Sequence, residues 1–228
     1  MLVQSTRSAA HREALDRLQR AGRLYGCDCT RADSRGPYPG TCRRRALPPA
    51  VGSRIATRFA LRAEDPLDFI DRWQGPHHYT AAALGDPVVW RRDGLIAYQL
   101  AVVVDDAHQA VSDVVRGADL LDSTPWQLAL YTALGSPPPT HAHGPLVTEP
   151  DGTKLAKFRR SVPLDAGHAG AELWRALRLL GQAPPAPLIA ARPAELLAWA
   201  VPNWSPARFR NRGMVAADAD ENLGSRRG

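Results

Sequence analysis

The sequence predicts an α/β chain, and three observations predict it. The apolar run Leu100 to Val104 ends in Asp105-Asp106. Asp93-Gly94 stands between the apolar stretches Val88-Val89-Trp90 and Leu95-Ile96-Ala97-Tyr98. Helical signals over Ser8 to Arg23 and from Asp122 to Gly135 lie on either side of these strand signals. A continuous apolar run of this kind fits a strand covered on both faces in a parallel sheet. Its carboxyl end is the edge at which open α/β sheets bind ligands.

At 228 residues the chain is long enough to bury a core without disulfides. No stretch approaches the about 18 consecutive apolar residues that a membrane span needs, and the N-terminus carries no signal-peptide pattern. The expectation is a cytoplasmic protein that does not engage a membrane. The formal net charge of +6 comes from arginine rather than lysine. Guanidinium forks onto phosphate oxygens, so this charge suits a phosphate-bearing partner, although genome base bias gives the same Arg-, Ala- and Pro-rich composition.

Along the chain, Ala10, Ala14, Leu15 and Leu18 recur at helical spacing and Gly22 marks a stop, so the cysteine segment that follows hangs on a helix end. Residues Arg54 to Leu61 alternate as a strand does, and Phe69 to Trp73 form a shorter candidate. The Asp93-Gly94 pair predicts a hairpin, because glycine tolerates positive φ. Asp122-Ser123-Thr124-Pro125 opens a helix with a capping side chain and an early proline, and Gly135 closes it.

Three prolines make Ser136 to Thr140 a rigid connector before His141-Ala142-His143 and a short strand over Pro145 to Thr148. Glu149 to Gly152 reads as a turn that presents Thr153 to Phe158 as an exposed loop. Ala171 to Leu180 and Pro193 to Trp199 have helical spacing. From Pro206 onward the chain is polar and charged, which predicts disorder.

All three cysteines fall in one segment, Cys27-Asp28-Cys29 and Cys42. Clustered thiols in a cytosolic chain favour metal over disulfide. Zinc takes four tetrahedral ligands, so three thiolates leave one position to Tyr38, Asp28, Asp33, a histidine or water; metal-free thiols are the alternative. A phenolate is admissible beside a dication. Asp105 and Asp106 read as magnesium or ribose contacts or as ordinary turn residues, and Tyr98 as a ligand contact or a core aromatic. Arg116, at the end of a Val-rich strand, suits a substrate carboxylate or an ion pair with Asp113 or Asp119. Lys154 and Lys157, three residues apart on a loop, can close over a triphosphate or remain a solvated basic surface. His141 and His143 read as packing and hydrogen-bonding residues.

Taken together, Cys27-x-Cys29 with Tyr38 and Cys42, the block Arg91 to Asp106, Val115-Arg116-Gly117-Ala118-Asp119 and Lys154-Leu155-Ala156-Lys157 make the chain resemble the glutamyl-Q tRNA(Asp) synthetases, short class I paralogues of glutamyl-tRNA synthetase. The resemblance runs to about Trp204. It implies a Rossmann-like class I catalytic core over residues 1–160 with a zinc-binding segment at 25–45, a helical appendage over 161–205 and a disordered tail over 206–228. It also implies ATP-dependent activation of L-glutamate with Mg2+ and transfer to queuosine in the anticodon of tRNA(Asp) by a monomer. By position, Cys27, Cys29, Tyr38 and Cys42 hold zinc, Tyr98 and Arg116 contact glutamate, Lys157 contacts ATP, and Lys154 shares its loop. Ala156 replaces the usual serine of the KMSKS-like signature.

The family's opening strand, turn and HIGH-like signature have no counterpart in Met1 to Gly26. The core is therefore expected to be incomplete and adenylate formation weak or absent. A fragment of glutamyl-tRNA synthetase and a non-catalytic, zinc-stabilised tRNA-binding module are the competing readings.

Overall fold

The helix read from Ala10, Ala14, Leu15 and Leu18 forms as α1, Ser8–Arg20, with His11, Ala14, Leu15 and Leu18 on its buried face, and the chain turns at Gly22 in a left-handed conformation. Spacings of three, four and seven residues place these side chains on one stripe, which is what drives the helix onto the core. The computed structural model describes residues 2–30, 33, 36–49, 55–148 and 166–216. The turn and loop from Glu149 to Phe158, with Lys154 and Lys157, lie outside the described residues.

After α1 come β1 (Leu24–Cys27), α2 (Thr41–Arg44), β2 (Ala56–Phe59), β3 (Phe69–Asp71), β4 (Gly75–His77), α3 (Ala81–Leu84) and β5 (Val88–Trp90). Strands β1, β2 and β5 make a three-stranded antiparallel sheet with β2 in the centre, and all four of its residues are buried. The hairpin cue at Asp93-Gly94 holds. Arg91 N–H bonds Leu95 O, Gly94 has φ +83°, and Ala97 N–H returns to Val89 O.

The reading of Leu100 to Val104 as a strand is overturned. These residues lie inside α4, Tyr98–His108, which buries Leu100, Ala101, Val103 and Asp105. A short apolar run has the same composition in a buried helix as in a buried strand, and here the helical face wins by packing Leu100 and Val103 against Leu15, Leu18 and Phe59. Tyr98 is therefore the first residue of a helix, not part of a strand, and Asp105 and Asp106 stand on its last turns, not at a sheet edge.

Next come β6 (Asp113–Gly117), α5 (Thr124–Ala133), β7 (Thr140–Gly144), β8 (Leu146–Thr148), α6 (Ala169–Leu179), α7 (Pro193–Asn203) and β9 (Met214–Ala216). Helix α5 begins after a 3-10 turn, with Pro125 in its first turn and no side-chain cap from Ser123. Gly135 closes it at φ +64°.

The chain divides into two compact units. One comprises Met1–Asp71, Pro76–Val114 and Leu120–His141, and the other Arg72–Gly75, Val115–Asp119 and Ala142–Gly228. The core of the first is Leu15, Leu18, Phe59, Val89, Trp90, Leu100, Val103 and Leu130. In the second, Trp174 and Leu177 of α6 pack on Leu196 and Ala200 of α7. The expectation of disorder from Pro206 fails for the residues up to 216. Phe209 is fully buried, its ring lies edge-on to Trp73 at 5.0 Å, and β9 pairs in parallel with β8. A single aromatic anchor and a long-range strand partner order a segment whose composition alone is polar.

Candidate functional site

The cysteine segment converges. Cys27 ends β1, Cys42 sits in α2, and the Sγ atoms of Cys27, Cys29 and Cys42 lie within 4.8 Å of one another. Tyr38 joins them: its Oη is 3.5 Å from both Cys27 Sγ and Cys29 Sγ, and Cys29 Sγ is 3.4 Å from Cys42 Sγ. A tetrahedral zinc site with Zn–S of about 2.3 Å and Zn–O of about 2.0 Å has S···O edges of about 3.5 Å and S···S edges of about 3.8 Å. The two S···O separations match that figure, and the Cys29–Cys42 separation is somewhat shorter than it. Of the other ligands admitted by the sequence, Asp28 is paired with Arg45 at 2.8 Å and its Oδ1 also lies 3.3 Å from Cys42 Sγ at the edge of the cluster, while Asp33 accepts from Thr30 N–H and Oγ1. Among the described residues no histidine joins the cysteine group.

The electrostatics favour anionic donors. Burial opposes ionisation of Cys27, but hydrogen bonds from Arg58 and Tyr38 outweigh it and bring the thiol down to about 7. Burial, followed by hydrogen bonds toward Cys29 and Cys42, holds the Tyr38 phenol protonated well above its ordinary range. A dication at this position reverses that balance, and the Cys42 backbone N–H, which donates to Tyr38 Oη at 2.9 Å, would stabilise the phenolate.

Three residues with no chemical signal in the sequence build the support. The Arg58 guanidinium lies 3.7 Å over the Tyr38 ring and donates to Asp86 O. The buried Asp86 carboxylate accepts from Tyr25 Oη at 2.6 Å and from Leu61 N–H at 2.8 Å. Gly85, at φ +68°, makes a bridge with Tyr38 and leaves no room for a side chain: a Cβ there would sit 2.3 Å from Tyr38 N. Gly85→Ala is therefore expected to push Tyr38 off the thiols at a cost of about 2 kcal/mol or more. Thermal denaturation together with zinc content checks this, and a variant with unchanged zinc would contradict it. The Gly85-Asp86 turn cue was available in the sequence; Arg58 gave none.

The remaining described candidates fall in both units. Asp105 is not a free carboxylate: Gln4 Nε2 donates to it at 2.9 Å, Arg7 Nε at 2.9 Å, and His11 Nε2 lies 3.1 Å away. It ties α1 to α4 inside the first unit. Tyr98, in the same unit, is about half exposed at the N-terminal end of α4. Arg116 belongs to the second unit, on β6, where its Nε donates to Nε2 of the buried His143 at 2.9 Å.

The family model of the catalytic domain of tRNA synthetases class I (E and Q) matches residues 49–183. The chain belongs to that family. This class I synthetase chain is 49% identical over 222 residues to the glutamyl-Q tRNA(Asp) synthetase of Ectopseudomonas mendocina, covering 95% of this chain and 74% of that protein. It is 47% identical over 225 residues to the glutamyl-Q tRNA(Asp) synthetase of Geobacter sulfurreducens, with 91% and 71% covered. The synthetase fold is shared with the glutamate-tRNA synthetase of Elizabethkingia anophelis at a TM-score of 0.68 and 18% identity, covering 96% of this chain and 52% of that one. A glutamate tRNA ligase from Elizabethkingia meningosepticum gives a TM-score of 0.65 at 17% identity, with the same coverage. This synthetase chain thus spans about half the length of the solved synthetases it matches. No helix among the described residues is long and apolar enough to cross a membrane.

Proposed function

We propose that the chain takes part in ATP- and Mg2+-dependent activation of L-glutamate to glutamyl-adenylate, followed by transfer of the glutamyl group to queuosine in tRNA(Asp). The observation that carries this reading is the identity of 49% along 95% of the chain to a protein named for that reaction. The cysteine-tyrosine cluster supports it independently, because three thiols within 4.8 Å of one another and a phenol 3.5 Å from two of them form a donor set suited to one zinc ion.

In this reading Cys27, Cys29, Tyr38 and Cys42 hold one zinc ion. The metal is structural: it cross-links β1, Cys29, Tyr38 and α2, and four protein ligands leave no open position for substrate. Tyr98 and Arg116 contact glutamate. Tyr98 offers a phenol beside the positive end of a helix, and Arg116 offers a guanidinium suited to a carboxylate. Lys154 and Lys157 meet the ATP phosphates as pyrophosphate departs.

Labelled glutamate, ATP and Mg2+ supplied with queuosine-containing tRNA(Asp), queuosine-free tRNA(Asp) or tRNA(Glu) tests the reading. Label is expected in the first alone, whatever its yield. Equal labelling of tRNA(Glu) would replace the reading with ordinary glutamyl-tRNA synthesis. Salt-dependent binding of tRNA with no labelling of any of the three would replace it with a non-catalytic tRNA-binding module.

A further inference from the structure

We propose that His143 is the positioning residue for Arg116: a buried hydrogen-bond acceptor that fixes the guanidinium at its Nε. The proposal rests on the reading that Arg116 receives the glutamate carboxylate. His143 lies on β7 and is fully buried, and its Nε2 sits 2.9 Å from Arg116 Nε on β6. Arginine only donates, so Nε2 must accept. The imidazole is therefore neutral, with its proton on Nδ1.

The main chain at this point is held as well. Gln74 Nε2 donates to His143 O at 2.7 Å and to Arg212 O at 3.1 Å, which fixes β7 against the 72–75 segment and the turn before β9. A long arginine side chain loses rotamer freedom when it is bound at Nε, and that loss is then incurred on folding rather than on each substrate binding event.

A hydrogen bond at Nε fixes the plane of the guanidinium, and with it the direction in which its other nitrogens can meet a carboxylate. The His-x-His pair, unremarkable as a sequence signal, thus carries a role through its second member.

Calorimetric titration of the chain with L-glutamate, and separately with ATP, tests this in Arg116→Ala, His143→Leu, His143→Gln and His143→Asn. Arg116→Ala is expected to abolish glutamate uptake. His143→Leu is expected to weaken glutamate by about tenfold or more, the worth of one charge-assisted hydrogen bond, while ATP affinity stays within about twofold. His143→Gln, whose Oε1 can reach Nε, is expected to recover to within about threefold of the parent chain, and the shorter His143→Asn is not.

Should His143→Leu fail to fold, the Gln and Asn pair carries the same contrast. Glutamate affinity unchanged in the Leu variant, or in both amide variants, with Arg116→Ala inactive, overturns the inference and leaves the reading of Arg116 standing. Parallel loss of glutamate affinity, ATP affinity and melting temperature in every His143 variant also overturns it, because that is the signature of a packing role. A parent chain that takes up no glutamate, or an Arg116→Ala variant that binds it normally, removes the underlying reading itself.

Discussion

Cys42→Ala is expected to abolish the zinc binding proposed for the cysteine cluster and to loosen the tie between β1 and α2. Cys42 is fully buried and its Sγ is 3.4 Å from Cys29 Sγ, so the substitution removes one thiolate donor from the middle of the cluster. Structural zinc contributes on the order of 10 kcal/mol of apparent binding free energy in small zinc-dependent peptides, all of it available to folding. In a unit that also has its own apolar core, a drop of more than about 10 °C in melting temperature is expected. Metal analysis of the purified parent chain should give one zinc per chain, and the variant should give none. A strong chelator should reproduce the thermal shift in the parent chain and do nothing to the variant. A parent chain free of zinc, or a variant that melts normally, would show that the thiols are merely packed.

Asp105→Ala is expected to cost about 3 kcal/mol and lower the melting temperature by on the order of 10 °C. The carboxylate is buried with Arg7 and His11 against it, so its removal takes from both the acceptor they share. Burial alone would raise the Asp105 carboxyl, but hydrogen bonds from Gln4, Arg7 and His11 outweigh it and hold the carboxyl below the ordinary carboxylate range. Because the folded value lies below the unfolded one, the stabilisation is complete above the unfolded value of about 4. It is lost as the pH falls through the folded value. Acid melts from pH 6 down to pH 2 should therefore converge for the parent chain and Asp105→Ala. If Asp105 instead bound magnesium or ribose, as its place in the sequence suggested, the variant would keep its melting temperature and lose ATP affinity.

These two residues also show what the sequence could and could not disclose. The cysteine cluster was legible because thiols are rare in this chain and all fall together. That Tyr38 Oη lies against two of the thiols, and Asp28 against the third, is set by folding and no spacing reveals it. Composition alone places Asp105 at a strand end, because the five apolar residues from Leu100 to Val104 do not distinguish the two periods, whereas it lies in α4. The polar stretch from Asp105 to His108, free of glycine and proline, would have favoured a longer helix. Helices α1, α6 and α7 were legible from spacing, as was the Asp-Gly hairpin from turn chemistry. The order imposed on residues 206–216 was not, because it depends on Trp73 meeting Phe209 across more than a hundred residues of chain. The same holds for Arg116 and His143, which are joined only once β6 and β7 form.

The account stands or falls on where the glutamyl group ends up. Queuosine-containing tRNA(Asp), incubated with the chain, ATP and L-glutamate, can be digested with nuclease and its fragments read by mass spectrometry. The account predicts a glutamyl adduct on the queuosine nucleoside of the anticodon fragment and an unmodified 3′-terminal adenosine. An adduct on the terminal adenosine, with queuosine unchanged, would contradict it.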